Sequence, residues 1–211
     1  MLIGIVAHRA RQQQAQQLGA TVEADYISFD NGDLGASGNH RHVWNTLIKV
    51  AEPHEWLLVL EEDAIPCTDF RTQLTDALDN APTQIVSLYL GRQRPPQWQP
   101  MIAQATTAAD LFYDPHWLRT RQLIHAVAIA MPAYLATDML TALDDTTPTD
   151  EAINTWANQH MYRIAYTWPS LVDHADGPTL INHPDGQPRA AGRIAWRHGT
   201  RPAWNNRTLE M

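Results

Sequence analysis

Strands alternating with helices along the chain predict an α/β fold whose sheet is mixed, largely parallel and flanked by helices. Three observations carry that expectation. The run Trp56-Leu57-Leu58-Val59-Leu60 is apolar without alternation, the pattern of a strand buried on both faces. Ile85 to Leu90 repeats it. Between such runs lie segments with apolar residues at helical spacing, most clearly Val43, Trp44, Leu47, Ile48 and Ala51.

In chain order, residues 2–7 read as a first strand, and Arg9 to Leu18 as a polar, glutamine-rich helix ended by Gly19. Thr21 to Phe29 mixes β-branched and aromatic residues and reads as a second strand, closed by the turn residues Asp30-Asn31-Gly32-Asp33. Gly35 to Ala51 is the amphipathic helix that feeds the Trp56–Leu60 strand. Phe70, Leu74, Ala77 and Leu78 mark another helix, with Asp69 as its N-cap. Arg92 to His116 holds four prolines and reads as a long functional loop, its aromatics Trp98, Phe112 and Tyr113 available to a ligand or to the core. Leu123 to Met131 reads as an apolar strand, with His125 a core histidine within it. Pro132 and Pro148 each open a helix, and Arg163 to Trp168 is a further strand. Two segments echo each other, His174-Ala175-Asp176-Gly177 and His183-Pro184-Asp185-Gly186, and read as paired turns.

With 211 residues, 44% of them hydrophobic and 18% charged, the chain suits one globular domain. The N-terminus runs from an apolar stretch straight into His8-Arg9, which reads as a strand and not a signal peptide. A single cysteine, Cys67, excludes an internal disulfide, and a cytoplasmic location is expected. A net charge of −8 argues against a surface that attracts nucleic acid as a whole. Of 15 basic residues 14 are arginine, and Arg189, Arg193, Arg197, Arg201 and Arg207 crowd the C-terminus. Arginine's planar fork matches phosphate oxygens.

Glu61-Glu62-Asp63 ends the Trp56–Leu60 strand, where open α/β sheets place their ligands. With strand alternation Glu61 and Asp63 share one side and Glu62 takes the other. Two hard oxygen ligands at that point suit Mg²⁺ or Mn²⁺ shared with a substrate's phosphates. A solvated acidic turn that merely stops the strand is the plainer alternative. His8 and Arg9, just after the first strand, occupy the usual nucleotide position of such sheets.

The order of these signals resembles glycosyltransferase family 25. Leu34-Gly35-Ala36-Ser37-Gly38-Asn39-His40-Arg41-His42-Val43-Trp44, then Trp56 to Pro66, is similar to that family's helix and its strand ending in an acidic motif. Leu123 to Ile129, Pro148-Thr149-Asp150-Glu151 and Tyr166 to His174 are similar to its later blocks, so that the likeness runs over residues 1–175. The triplet here is Glu-Glu-Asp, and the short chain is most similar to glycosyltransferases encoded by bacterial viruses. The resemblance implies a GT-A, Rossmann-like fold, a nucleotide-diphosphate sugar donor, and a divalent Mn or Mg ion bridging the diphosphate to the acidic motif. It also implies a nucleotide- and metal-binding half at 1–91, an acceptor half at 92–175 and a closing segment at 176–211.

The expected metal ligands are Glu61, Asp63 and His174, where His174 alternatively orders a turn through Asp173 and Asp176. Asp150, with Glu151 second, is the expected general base for the acceptor hydroxyl, unless both are ordinary first-turn helix acids. The expected donor contacts are His8, Arg9, Asp30, His40, Glu62, Arg193 and Arg197. His40 either touches the donor or buttresses the acidic strand. Arg193 and Arg197 reach one diphosphate if they lie on a helix, with Trp196 or Trp204 closing over it. The acceptor is a hydroxyl of a glycan, a protein or a hydroxymethylated DNA base. Two other classes use the same residues: a Mg-dependent phosphohydrolase or nucleotidyltransferase that draws on Asp30, Asp33 and Asp150, and a non-catalytic carbohydrate-binding protein.

Overall fold

The computed structural model describes residues 1–177 and 192–211, so the second of the paired turns, at 183–186, and Arg189 lie outside the described residues. Its strands are β1 (Leu2–His8), β2 (Tyr26–Asp30), β3 (Trp56–Glu61), β4 (Ala64–Pro66), β5 (Ile85–Ser87), β6 (Trp117–Thr120), β7 (Ala128–Pro132), β8 (Ile164–Thr167), β9 (Val172–His174) and β10 (Thr208–Glu210). Its helices are α1 (Gln12–Val22), α2 (Gly35–Ile48), α3 (Phe70–Asp79), α4 (Gln99–Ala108), α5 (Ala133–Met139) and α6 (Thr149–Gln159). The main sheet has eight strands in the order β10-β6-β8-β5-β7-β3-β1-β2, and β4 and β9 form a separate two-stranded arm. Both expected halves of the chain therefore contribute to one sheet.

The fold is the mixed, mostly parallel α/β sheet that the sequence predicts. β2, β1 and β3 run parallel in the Rossmann-like half, β5 and β8 run parallel to each other, and β10 is parallel to β6. β7 runs antiparallel to β3 and β5, and β6 to β8. These directions put the carboxyl ends of β1, β2, β3, β5 and β8 on one edge of the sheet, together with the amino ends of β6, β7 and β10.

Side-chain alternation splits the sheet into two faces. Leu57 and Val59 of β3 pack with Val43, Trp44 and Leu47 of α2 and with α5 and α6 residues such as Met139, Ile153 and Trp156. Leu58 and Leu60 pack on the other face with Leu18 and Val22 of α1 and Phe70 and Leu74 of α3. All four β3 side chains are almost wholly excluded from solvent, as expected for a strand covered on both sides.

Several element boundaries differ from the sequence reading. Arg9–Arg11 forms a 3₁₀ turn, and α1 begins only at Gln12 and runs through Gly19 to Val22. Gly19 does not stop the helix because it serves packing: a Cβ there would stand 2.6 Å from Ile27 Cδ1. The helix ends instead at Glu23, which takes a left-handed conformation with φ of 52° and donates its N–H to the Gly19 carbonyl. Thr21 and Val22 thus belong to α1, and β2 starts at Tyr26.

Asp69 precedes α3 but sits at φ of 53° and gives no side-chain cap. Residues 92–116 are not one loop: Pro100 lies in the first turn of α4, and Ala109–Tyr113 is a π-helical turn. The apolar stretch from Leu123 is a strand only from Ala128, because β3 offers no further backbone beyond Glu61, whose N–H bonds the Val127 carbonyl. β5 likewise stops at Ser87, and Leu88 and Leu90 stay buried while bonding to Ala128, Val172 and Trp196.

Gly4, in β1, lets α2 approach the sheet: a Cβ would meet Val43 Cγ1 at 2.5 Å and Leu47 Cδ1 at 3.0 Å. Val43 is β-branched and wholly buried, so it has little freedom to yield. Gly4→Ala should therefore lower the urea midpoint by overpacking, at a cost of about 1–3 kcal/mol. An unchanged midpoint would mean that α2 withdraws freely.

Candidate functional site

The acidic triplet opens at the edge where β1, β3 and β5 end. β3 terminates at Glu61, and Glu62-Asp63 form a turn into β4, so strand alternation does not continue through the triplet. Glu62 consequently shares a partner, Arg11, with Asp63 instead of taking the opposite side, while Glu61 pairs with His40 and its charge, like that of Asp63, reaches His174.

Glu61 Oε1 lies 3.2 Å from Nε2 of His40, a buried residue of α2. His40 thus buttresses the acidic strand end. Its neighbour Asn39 donates to the carbonyl of Ala7 at 3.2 Å, which ties the start of α2 to the end of β1. Glu62 Oε1 and Asp63 Oδ2 both accept from one nitrogen of Arg11, at 3.1 Å and 3.0 Å.

His174 reaches the site through the β4–β9 arm. Ala64 pairs with His174 in that arm, and the N–H of Ala175 bonds the Asp63 carbonyl at 2.8 Å. His174 Nε2 then stands 3.3 Å from Asp63 Oδ2. The turn-ordering alternative for His174 is filled by other groups. Asp173 accepts from the His174 and Ala195 amides, and Asp176 accepts from Gly192 and Arg193.

Two aromatic groups continue the wall. Tyr89 lies with its ring centroid 6.0 Å from that of His174 and 5.0 Å from that of His125, and its hydroxyl donates to the Arg193 carbonyl at 2.9 Å. Arg193 is brought to the site on this contact and is held by Asp176 at 3.4 Å. His125 is withdrawn from water as the sequence reading expects and bonds the Gly91 backbone, but its Nε2 has no partner among the described residues. Asp63 Oδ1, Asn39 Oδ1, and Nδ1 of His40 and His174 are likewise buried without partners among the described residues, so such polar atoms gather around this strand end.

Asp150 stands in the first turn of α6, where its Oδ1 accepts the Glu151 N–H at 3.0 Å. Burial, then the charge of Glu61, raises its carboxyl to about 6, so Glu61 and Asp150 belong to one electrostatic neighbourhood. Burial, then Asp63, raises Glu62 to about 7 despite Arg11. Burial would raise Asp63 too, but the His174 hydrogen bond and charge, with Arg11, hold it below the usual range. Burial works against the His174 imidazolium, yet Asp63 and Glu61 raise it overall. Burial pushes His125 down to about 3, so its ring is neutral.

Other expected site residues lie apart. Residues 192–204 form no helix, so Arg193 and Arg197 do not act as a pair: Arg197 bonds Asp110 at 2.9 Å and lies over Trp168. Trp204 is buried against Trp117 and His116, and Trp196 is held by Arg92 and Gln99, so neither closes over the acidic edge. Asp30 holds the loop before α2, its two oxygens accepting from the amides of Gly32, Leu34 and Gly35. Gly32 takes φ of 99° in that turn. Glu151 and Arg9 are exposed, and His8 accepts the Ala10 N–H as the cap of the 3₁₀ turn.

Arg11 and Tyr89 are the residues that sequence reasoning missed. Arg11 follows the first strand two residues after Arg9, and nothing local in the sequence tied it to the acids.

The divalent ion implied by the family resemblance meets a partial but chemically suitable donor set. Among the described residues no group of three or more His, Cys, Asp or Glu side chains is arranged to hold a metal ion. Mg²⁺-type sites commonly use one or two carboxylates and take the rest of their shell from water and substrate phosphates. Asp63, with its partnerless buried Oδ1, fits that role, with His174 and Glu61 beside it.

No protein-family model matches the chain, and no curated protein matches it. Among solved structures it is similar to the viral protein A197 from STIV, at 10% identity and a TM-score of 0.48, over 97% of this chain and 99% of that one. That likeness carries no functional inference. No described helix is long and apolar enough to cross a membrane.

Glu62 supplies a test of the site's electrostatics. Unfolded chain loses this proton near the ordinary value of 4.5, whereas the folded molecule keeps it to about 7. Between those values the folded state holds more protons, so this group's contribution to stability falls as pH rises. The melting temperature of Glu62→Gln should therefore gain on the wild type between pH 5 and pH 8. A difference that does not change with pH would show that Glu62 ionises normally.

Proposed function

We propose that the chain is a metal-dependent glycosyltransferase that moves a sugar from a nucleotide-diphosphate donor to a hydroxyl acceptor. One observation carries the reading. The acidic end of a doubly buried strand meets an imidazole, His174, and lies within electrostatic reach of a separate carboxyl, Asp150, at the carboxyl edge of the sheet. The end of β1 at His8 offers the nucleotide position.

A divalent Mg²⁺ or Mn²⁺ ion, when bound, supplies Lewis-acid stabilisation of the leaving diphosphate. Asp63 would hold it, with Glu61 and His174. The remaining work falls to the chain. Asp150 takes the proton of the acceptor hydroxyl as that oxygen bonds the anomeric carbon. The anomeric C–O bond to the diphosphate breaks, and its electron pair leaves with the diphosphate. A carboxyl raised to about 6 is ionised above that pH, yet is a stronger base than an ordinary aspartate. His40 keeps Glu61 oriented, and Arg193 places positive charge beside His174 and Tyr89.

A two-metal phosphohydrolase would need further converging carboxylates. Asp30, which such a site would draw on, instead binds the backbone of its own loop. That observation removes one of the acids a hydrolytic site would draw on. The acceptor's hydroxyl belongs to a glycan, a protein or a modified DNA base.

Two measurements test the reading. Incubation with a panel of nucleotide sugars and Mn²⁺ should release nucleoside diphosphate slowly without acceptor, and Asp63→Ala should abolish metal-dependent diphosphate binding in calorimetry. Release of nucleoside monophosphate would replace the proposal with hydrolysis.

Asp150→Asn keeps the size of the side chain but cannot take a proton, so turnover should fall by about 10²-fold or more while donor affinity persists. Wild-type turnover should also rise with pH through about 6. Near-normal turnover in the variant would return Asp150 to the role of a helix-end acid.

A further inference from the structure

Arg11 stands where a cation would bind. A single guanidinium nitrogen bonds Glu62 Oε1 at 3.1 Å and Asp63 Oδ2 at 3.0 Å, and all three side chains are largely buried, at 18%, 12% and 15% exposure. Asp63 Oδ2 is also the atom that faces His174 Nε2 at 3.3 Å. A divalent ion on Asp63 would therefore come to rest against an arginine that already uses the same carboxylate. Two such charges at contact distance repel strongly in a partly desolvated site.

Arg11 is placed so that it can leave. It is the last residue of the Arg9–Arg11 3₁₀ turn, outside β1 and before α1, so its side chain can swing without disturbing sheet pairing. The turn sits at the carboxyl end of β1, beside the strand whose acids would bridge to a diphosphate. Arginine's fork bonds phosphate oxygens as well as carboxylates, so a donor diphosphate bound at this strand end would offer a displaced Arg11 a partner.

We propose that Arg11 is an exchangeable counter-ion: it competes with the divalent cation for Asp63, and once displaced it binds the donor's diphosphate. The proposal rests on the glycosyltransferase reading. It couples the two ligands, because the cation frees the arginine that the diphosphate then uses. Arg11 has opposite effects on the two: it opposes binding of the cation alone and supports binding of the diphosphate. A merely structural ion pair would not give these opposite signs.

The test is calorimetry on the full chain with two titrants. The first is Mn²⁺ alone. The second is a nucleoside diphosphate at saturating Mn²⁺, using whichever of the uridine, guanosine and cytidine forms binds wild type most tightly. In Arg11→Met, Mn²⁺ alone should bind about tenfold more tightly and the diphosphate about tenfold more weakly than in wild type. Arg11→Gln, which can still hydrogen-bond Glu62, gives the same readout if the methionine variant fails to fold.

Weaker or unchanged Mn²⁺ binding in both variants overturns the exchange, as does undiminished diphosphate binding. These outcomes differ from failure of the functional reading itself, in which wild type shows no metal-dependent diphosphate binding at all.

Discussion

Burial of β3 between two helix layers leaves polar groups only one way out, through the strand's carboxyl end. Leu57 to Leu60 are sealed on both faces, and the next three residues, Glu61, Glu62 and Asp63, are all carboxylates. Like charges so close, partly withdrawn from water, cannot all stand ionised without compensation. Each acquires its own neighbour: His40 for Glu61, Arg11 for Glu62 and Asp63, and His174 for Asp63. Those neighbours come from α2, from the turn after β1 and from the β4–β9 arm. Electrostatic compensation at one strand end thus fixes how three other elements dock.

The compensation is incomplete. Glu62 and Asp150 remain partly protonated near neutral pH, while Asp63 stays ionised because two cationic groups reach it. Carboxyls with well-separated proton affinities in one crevice mark divided roles: Asp63 offers fixed negative charge, and Asp150 can exchange a proton. The buried atoms of His125, His174, Asn39 and Asp63 that have no partner among the described residues belong to the same strand end.

What the sequence made legible follows from the range of each signal. The β3 run, the helical spacing of Val43, Trp44 and Leu47, and the prolines before α5 and α6 are local patterns, and the structure repeats them. The proximity of His174 to Asp63 was available from sequence only through a family resemblance, because it depends on pairing across more than a hundred residues. The reach of Arg11 to the acids had no local signature. Arg193 and Arg197 show the opposite failure: four-residue spacing means one face only on a helix, and here the backbone is held by isolated bridges at Ala195 and His198. Gly19 likewise looked like a stop signal because periodicity cannot see Ile27 across the helix–sheet contact.

The reversed strand β7 has a consequence for how the molecule must be made. It lies between β3 and β5, yet β3 and β5 both precede it in the chain. Until residues 128–132 emerge from the ribosome, the nascent sheet has two unpaired apolar edges where its centre will be. Edges of that kind recruit other strands. The Rossmann-like half can assemble early, but its join to β5 waits for the late arrival of β7. Pauses in synthesis before that point would favour association between chains, whereas the finished molecule hides both edges behind one inserted strand.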